Sequence, residues 1–173
     1  TCAGLGVAQF FAPGGVVERP AAALKELVEN AIDAGARRID AVLRDGGRTL
    51  VAVSDDGSGM GPDDLRLAVE RHATSKLAAD DLVDIRFLGF RGEALPSIGA
   101  VSRLAIVSRP RGADSAHRIA VEGGEVGQVE PAGAPPGTRV EVRDLFYATP
   151  ARLKFLKNER VEFGHALDVM KRL

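Results

Sequence analysis

From Pro20 to Gly35 the apolar residues Leu24, Leu27, Val28 and Ala31 recur at helical spacing, with Ile32 on the edge of the stripe. Pro20 suits a first helical turn, where its missing N–H costs nothing, and Gly35 suits the position just past the end. The period then changes to two. "RRIDAVL" places Ile39, Ala41 and Leu43 on one face, "RDGG" reads as a hairpin turn, and "RTLVAVSD" alternates again, which predicts two antiparallel strands. "DDGSGMGPDD" carries too many glycines for regular structure, and Pro62 opens a short helix through "DDLRLAVE". Residues 71–84 are polar and irregular, as in a loop or lid, and "FRGEALPSIGA" reads as a loop entering a short helix. Four strand-like runs follow, "VSRLAIVSR", "AHRIAVEGG", "EVGQVEPAG" and "GTRVEVRDL", before "NERVEFGHALDVMKRL" closes as an amphipathic helix. Strands joined by short turns, with helices at both ends, predict an α/β fold: a two-layer sandwich of a mixed, largely antiparallel sheet with helices on one face. No internal repeat is present, and Rossmann-like alternation is absent.

The polar positions are the more informative half of the pattern. At ~100° per residue, Glu26, Asn30 and Asp33 fall together opposite the apolar stripe of the first helix. They are either a solvated face or the wall of a site. Asn is a poor interior helix residue because its amide competes for backbone hydrogen bonds, and Glu26 and Asn30, four apart, can reach one bound object together. In "LVAVSDDGSGMG" the side chains of Val51, Val53 and Asp55 point to one side of a strand. If the valines face the core, Asp55 is a carboxylate at its edge and requires a donor from protein or ligand. Gly57, Gly59 and Gly61 let the backbone come close to whatever Asp55 holds; the alternative is a plain glycine turn with an exposed aspartate. "GFRGEAL" brackets a basic residue with Gly89 and Gly92 ahead of a helix, an arrangement that suits an anion.

Composition narrows the classes. At 173 residues, 45% hydrophobic and 27% charged, the chain has the make-up of one soluble globular domain. With 23 basic and 24 acidic residues, no global field attracts nucleic acid or an anionic membrane. Cys2 is the lone cysteine and the three histidines are scattered, so neither an internal disulfide nor a zinc-ligand spacing can be assembled, which points to the cytosol. No apolar run approaches the ~20 residues that span a bilayer. No GxxxxGK[ST] and no GxSxG occurs, which leaves out P-loop NTPases and α/β-hydrolases. Beginning at Thr1 and stopping within a helical stretch, the sequence reads as part of a longer protein.

ExxxN on a helix, DxGxG after a hairpin strand, a glycine-bracketed loop and "GT" opening a late strand, in that order, resemble the GHKL ATPases. That family contains type II topoisomerases, heat-shock chaperones, sensor histidine kinases and DNA mismatch-repair proteins. The longer strings "GGVVERPAAALKELVENAIDAGA", "RHATSK", "LGFRGEALPSI" and "GTRVEVRDLFYATPARLKFLK" are similar to the N-terminal ATPase domain of the mismatch-repair members. The likeness runs from about Val7 to the chain end and implies a single ATP-binding domain of the GHKL (Bergerat) type over 1–173, with a lid-like segment at 61–88.

Residue by residue, the resemblance implies that Glu26 is the general base and that Asn30 binds the magnesium ion that bridges the phosphates, with Asp33 beside them. Asp55 would accept from the adenine amino group, and Gly59 and Thr138 would complete the base pocket. Thr74, Ser75 and Lys76 would lie near sugar and phosphates. The backbone of Gly89, Phe90, Arg91, Gly92, Glu93, Ala94 and Leu95 would wrap the phosphate tail. ATP and magnesium are the implied cofactors. The implied partners are a second copy through ATP-dependent N-terminal dimerisation, mismatch-recognition and strand-cutting repair proteins, and weakly bound DNA in a bacterial cytoplasm; no membrane is implied. In this family a lysine of the following domain reaches the γ-phosphate, so hydrolysis by these residues alone is expected to be very slow.

The chain departs from the family pattern at "APGGVVERP" (Pro13, Gly15), at Asp56 in place of Asn, and at Ala148 in "LFYATPAR". A rival expectation is a nucleotide-independent DNA-binding or scaffold module that uses Arg152, Lys154, Lys157 and Arg160, with Lys171 and Arg172 further on.

Overall fold

The structure, a computed structural model, describes residues 17–70 and 94–173. Helix α1 (Pro20–Asp33) starts with Pro20 in its first turn and ends where Gly35 takes a φ of 72°, a left-handed conformation that is easy only for glycine. Its buried residues include Leu24, Leu27, Val28 and Ala31, as the sequence periodicity predicts, together with Pro20, Ala21 and Ala23, while Ile32 at the edge of the stripe is exposed.

Strands β1 (Ile39–Arg44) and β2 (Leu50–Asp55) pair antiparallel, with Ile39 opposite Asp55 and Arg44 opposite Leu50. Their connection contains a 3-10 turn over Asp45–Gly47, with all three of those residues at positive φ. Helix α2 (Pro62–Val69) follows, and after the undescribed segment come α3 (Ala94–Ala100), β3 (Arg103–Arg109) and β4 (Ala116–Glu122). The run read as one strand at "EVGQVEPAG" is two short strands, β5 (Glu125–Val126) and β6 (Glu130–Ala132), both paired with β4. Strand β7 (Gly137–Arg143) returns to the middle of the sheet. Helix α4 (Pro150–Phe155), for which Pro150 in the first turn was the available sign, and α5 (Glu159–Arg172) end the chain.

The main path of the sheet is β1-β2-β7-β3-β4-β5, and every pairing among the described residues is antiparallel. Inserting β7 between β2 and β3 is the step that builds the site. It sets Asp55 beside Thr138 and Thr138 beside Ser108, in register across three strands.

Helices α1, α2 and α3 pack on one face of this sheet, and α5 packs against α1 and the β1–β2 turn. Between the layers lie Leu24, Leu27, Val51, Val53, Leu65, Ile98, Leu104, Ile106, Ile119 and Val142, each at most 2% exposed. Full burial of each such side chain stabilises by roughly 1.5–3 kcal/mol relative to exposure. The opposite face carries long charged residues. Arg139 and Arg143 both reach Glu141 at 2.7 Å, and their stems help to cover Leu50 and Ala52, which are 4% and 1% exposed. No helix among the described residues is long and apolar enough to cross a membrane.

Helix α5 is anchored where Asn158 caps it, its side chain accepting from the Val161 N–H at 3.0 Å, and where Gly46 meets it. A Cβ on Gly46 would lie 2.8 Å from the Glu159 carbonyl oxygen, and the backbone there has a φ of 65°. Gly46→Ala should therefore lower stability by about 2 kcal/mol, through left-handed strain and displacement of α5. Urea denaturation followed by circular dichroism checks this, and an unchanged midpoint would show that α5 does not depend on this contact.

Candidate functional site

The site is built where the C-terminal end of β2 runs under the end of α1. Val51 and Val53 are buried at 0% and 2% exposed, and Asp55, next on that side of the strand, is half-buried. Its Oδ1 accepts from the Gly57 N–H at 2.8 Å. Burial pushes the Asp55 carboxyl above its ordinary pKa. The Gly57 N–H opposes that shift, the neighbouring Asp56 charge adds to it, and the Thr138 N–H opposes it. Among the described residues no salt bridge relieves Asp55.

Asp56 has the opposite character. Its exposed carboxylate accepts from the N–H groups of Arg37 and Arg38 at 2.8 and 2.9 Å, which lowers its pKa, and it ties the glycine loop to the turn after α1. An Asn at this position would offer the same acceptor oxygen, so this departure from the family pattern keeps the contact. The Ser58 N–H donates to the Ala34 carbonyl at 3.0 Å and fastens the same loop to the last turn of the helix.

Two glycines permit approaches that no other residue could make. A Cβ on Gly59 would overlap the Arg109 carbonyl oxygen, and one on Gly137 would overlap the Asp55 carbonyl oxygen; their φ values are 71° and 121°. The result is one wall, formed by Asp55, the glycine loop and Thr138. Behind it lies Ser108, fully buried, whose hydroxyl meets the Met60 N–H at 2.7 Å, the Gly137 carbonyl at 3.0 Å and the Thr138 hydroxyl at 2.7 Å. Sequence reading missed Ser108. A lone serine in "RLAIVSR" gives no sign that its partners stand 29 to 48 positions away.

On α1, Glu26 and Asn30 occupy the half-buried edge one turn apart, while Asp33 is exposed at the last residue of the helix. Ala94 is half-buried at the start of α3, and the Leu95 side chain points into the core, which leaves its backbone for the expected role. Thr74, Ser75, Lys76, Gly89, Phe90, Arg91, Gly92 and Glu93 lie outside the described residues, as do Pro13 and Gly15. Ala148 is exposed just before α4.

The residues fit a hard cation only in company with a ligand. Asn30 offers one amide oxygen beside the Glu26 carboxylate, and no group of three or more His, Cys, Asp and Glu that could hold a metal occurs among the described residues. Magnesium is commonly held in this way, by one or two protein oxygens with phosphate and water completing the shell.

Comparison with known proteins shows the family. Residues 18–132 match the family of histidine kinase-, DNA gyrase B- and HSP90-like ATPases, and the chain belongs to that family. Within it, the chain is 72% identical over 163 residues to the DNA mismatch repair protein MutL of Paramagnetospirillum magneticum and 68% identical to that of Rhodospirillum rubrum. Each match covers 94% of this chain and 27% or 26% of the relative, so the chain spans about a quarter of their length. A solved Aquifex aeolicus MutL ATPase domain complexed with ADP superposes with a TM-score of 0.74 at 35% identity, covering 90% of this chain and 55% of that one.

The adjacent carboxylates Asp55 and Asp56 yield a paired pH prediction. A carboxyl whose pKa is raised by folding weakens the fold when ionised, and the penalty is relieved as pH falls through its folded pKa. One whose pKa is lowered contributes stability above its unfolded pKa and loses it as pH falls through the folded value. Asp55→Asn should therefore raise the melting temperature at pH 7, with the gain shrinking toward acid pH. Asp56→Ala should lower it at pH 7, with the loss shrinking toward acid pH. Melting curves from pH 3 to 8 check both, and shifts of the same sign at pH 7 would contradict the assignments.

Proposed function

We propose that this chain is the ATP-binding, slowly hydrolysing part of a mismatch-repair protein and works as a nucleotide-controlled switch. Asp55 carries the reading. A half-buried carboxylate with no counter-ion among the described residues, flanked by two backbone approaches that only glycine permits, suits the edge of a flat base that brings its own N–H donor. Adenine offers such a donor in its amino group, and the ADP complex of the Aquifex relative supports a nucleotide as the ligand.

With adenine at Asp55, Gly59 and Thr138, the phosphates extend along the helix edge that carries Glu26 and Asn30. The Asn30 side-chain oxygen would hold magnesium, which when bound would supply charge neutralisation on the phosphoryl oxygens. Glu26 accepts a hydrogen bond from the attacking water and takes its proton as the water adds to the γ-phosphorus and the bond from that phosphorus to the bridging oxygen breaks, with ADP as the leaving group. The residues assigned to sugar and phosphates are Thr74, Ser75 and Lys76, and the donors assigned to the phosphate tail are the backbone N–H groups from Gly89 to Leu95.

The purpose of turnover is conformational. ATP orders the lid, pairs two N-terminal domains and thereby signals to mismatch-recognition and strand-cutting partners; hydrolysis releases the pair. Arg152, Lys154, Lys157 and Arg160, all exposed along and beyond α4, supply the weak, salt-dependent contact to DNA.

Glu26→Ala in the full-length protein should leave the affinity for a non-hydrolysable ATP analogue within about twofold. It should slow magnesium-dependent phosphate release by about 100-fold or more, as expected for loss of a general base. Calorimetry and a phosphate-release assay check this, and turnover at the normal rate would remove Glu26 from that role.

A further inference from the structure

We infer that Ser108 is a positioning residue for the base end of the pocket, with its one buried hydroxyl setting both the seat of the glycine loop and the hydrogen-bonding character of Thr138. The inference rests on the adenine reading above and extends it to a residue behind the pocket wall. Ser108 is 0% exposed in the middle of a sheet whose neighbouring core positions are Ile106 and Leu104. A hydroxyl in such surroundings is costly unless paired. This one has three partners from two other segments: the Met60 N–H, the Gly137 carbonyl and the Thr138 hydroxyl.

A hydroxyl has one proton and two lone pairs. One lone pair of Ser108 takes the Met60 N–H at 2.7 Å, and its single proton goes to the Gly137 carbonyl at 3.0 Å, which can only accept. The Thr138 hydroxyl, at 2.7 Å, therefore donates to the second lone pair of Ser108 and faces the pocket with lone pairs only. Adenine presents an amino donor at the edge where guanine presents a carbonyl acceptor. With Asp55 and Thr138 both offering lone pairs there, the amino group is accepted and a guanine carbonyl is opposed. Ser108 thus fixes the acceptor character of this edge from behind the pocket, without touching the base. The same hydroxyl keeps the Met60 backbone, and with it Gly59, at the distance the base requires.

Competition binding of non-hydrolysable ATP and GTP analogues to the full-length protein tests this. Ser108→Ala should weaken the ATP analogue about tenfold, the scale expected when one buried hydrogen-bond partner is removed. It should leave the GTP analogue unchanged, so that selectivity falls by the same factor, and Ser108→Thr should restore both values. Should Ser108→Ala not fold, Ser108→Cys, of nearly the same shape but far weaker as both donor and acceptor, should give the same loss of selectivity. Equal weakening of both analogues, or no change in either, would overturn the inference while leaving adenine recognition by Asp55 intact. A wild-type protein that does not prefer the ATP analogue would overturn the adenine reading and this inference with it.

Discussion

The structure depends on one close approach, the seam where β7 lies against the end of β2. Gly137 sits so near the Asp55 carbonyl oxygen that no Cβ fits, and its φ of 121° is open to few residues other than glycine. This lets the returning strand enter the middle of the sheet and places Thr138 directly opposite Asp55. Without that insertion the β1–β2 hairpin and the β3–β4 pair would be separate ribbons, and Asp55 would be a surface aspartate. The constraint that closes the sheet therefore also shelters the carboxylate at the centre of the site.

That shelter opposes the stability of the fold. Asp55 is held partly out of water with no counter-ion among the described residues, and burial pushes its carboxyl up in pKa despite the Gly57 and Thr138 N–H groups. Its neighbour Asp56 faces outward, accepts two backbone N–H groups and is pushed down. A site that binds must retain some unsatisfied hydrogen-bonding capacity, while the chain next to it must be fixed in place. Here adjacent positions divide the two tasks. Ser108 carries the second task inward, joining the glycine loop to β7 through one hydroxyl.

Much of this was legible in the sequence because it is local. Pro20 and Gly35 mark the limits of α1, alternation marks β1 to β4 and β7, and the glycines of "DDGSGMG" announce a close backbone approach. What escaped is non-local or short. The run "EVGQVEPAG" splits into β5 and β6, with the Gly127 N–H turning back to the Ala120 carbonyl at 2.8 Å, and helix α4 has six residues and no buried face to produce a period. Ser108 looks like any polar residue at a strand end until β7 arrives beside it. Asp56 reads as a departure from a family pattern, and only the fold shows that its oxygen holds the turn after α1. The polar edge of α1 is intermediate. Periodicity places Glu26 and Asn30 opposite the core stripe, but only the fold shows that both are half-buried.

If the sheltered carboxylate is the anchor for the nucleotide, its removal must abolish binding without harm to the fold. The most direct measurement is isothermal titration of the full-length protein and its Asp55→Ala variant with a non-hydrolysable ATP analogue in the presence of magnesium, alongside melting curves of both. The expected result is a saturable heat for the wild type and none for a variant that melts at or above the wild-type temperature. Binding of equal affinity in both proteins would contradict the assignment of Asp55 to the base.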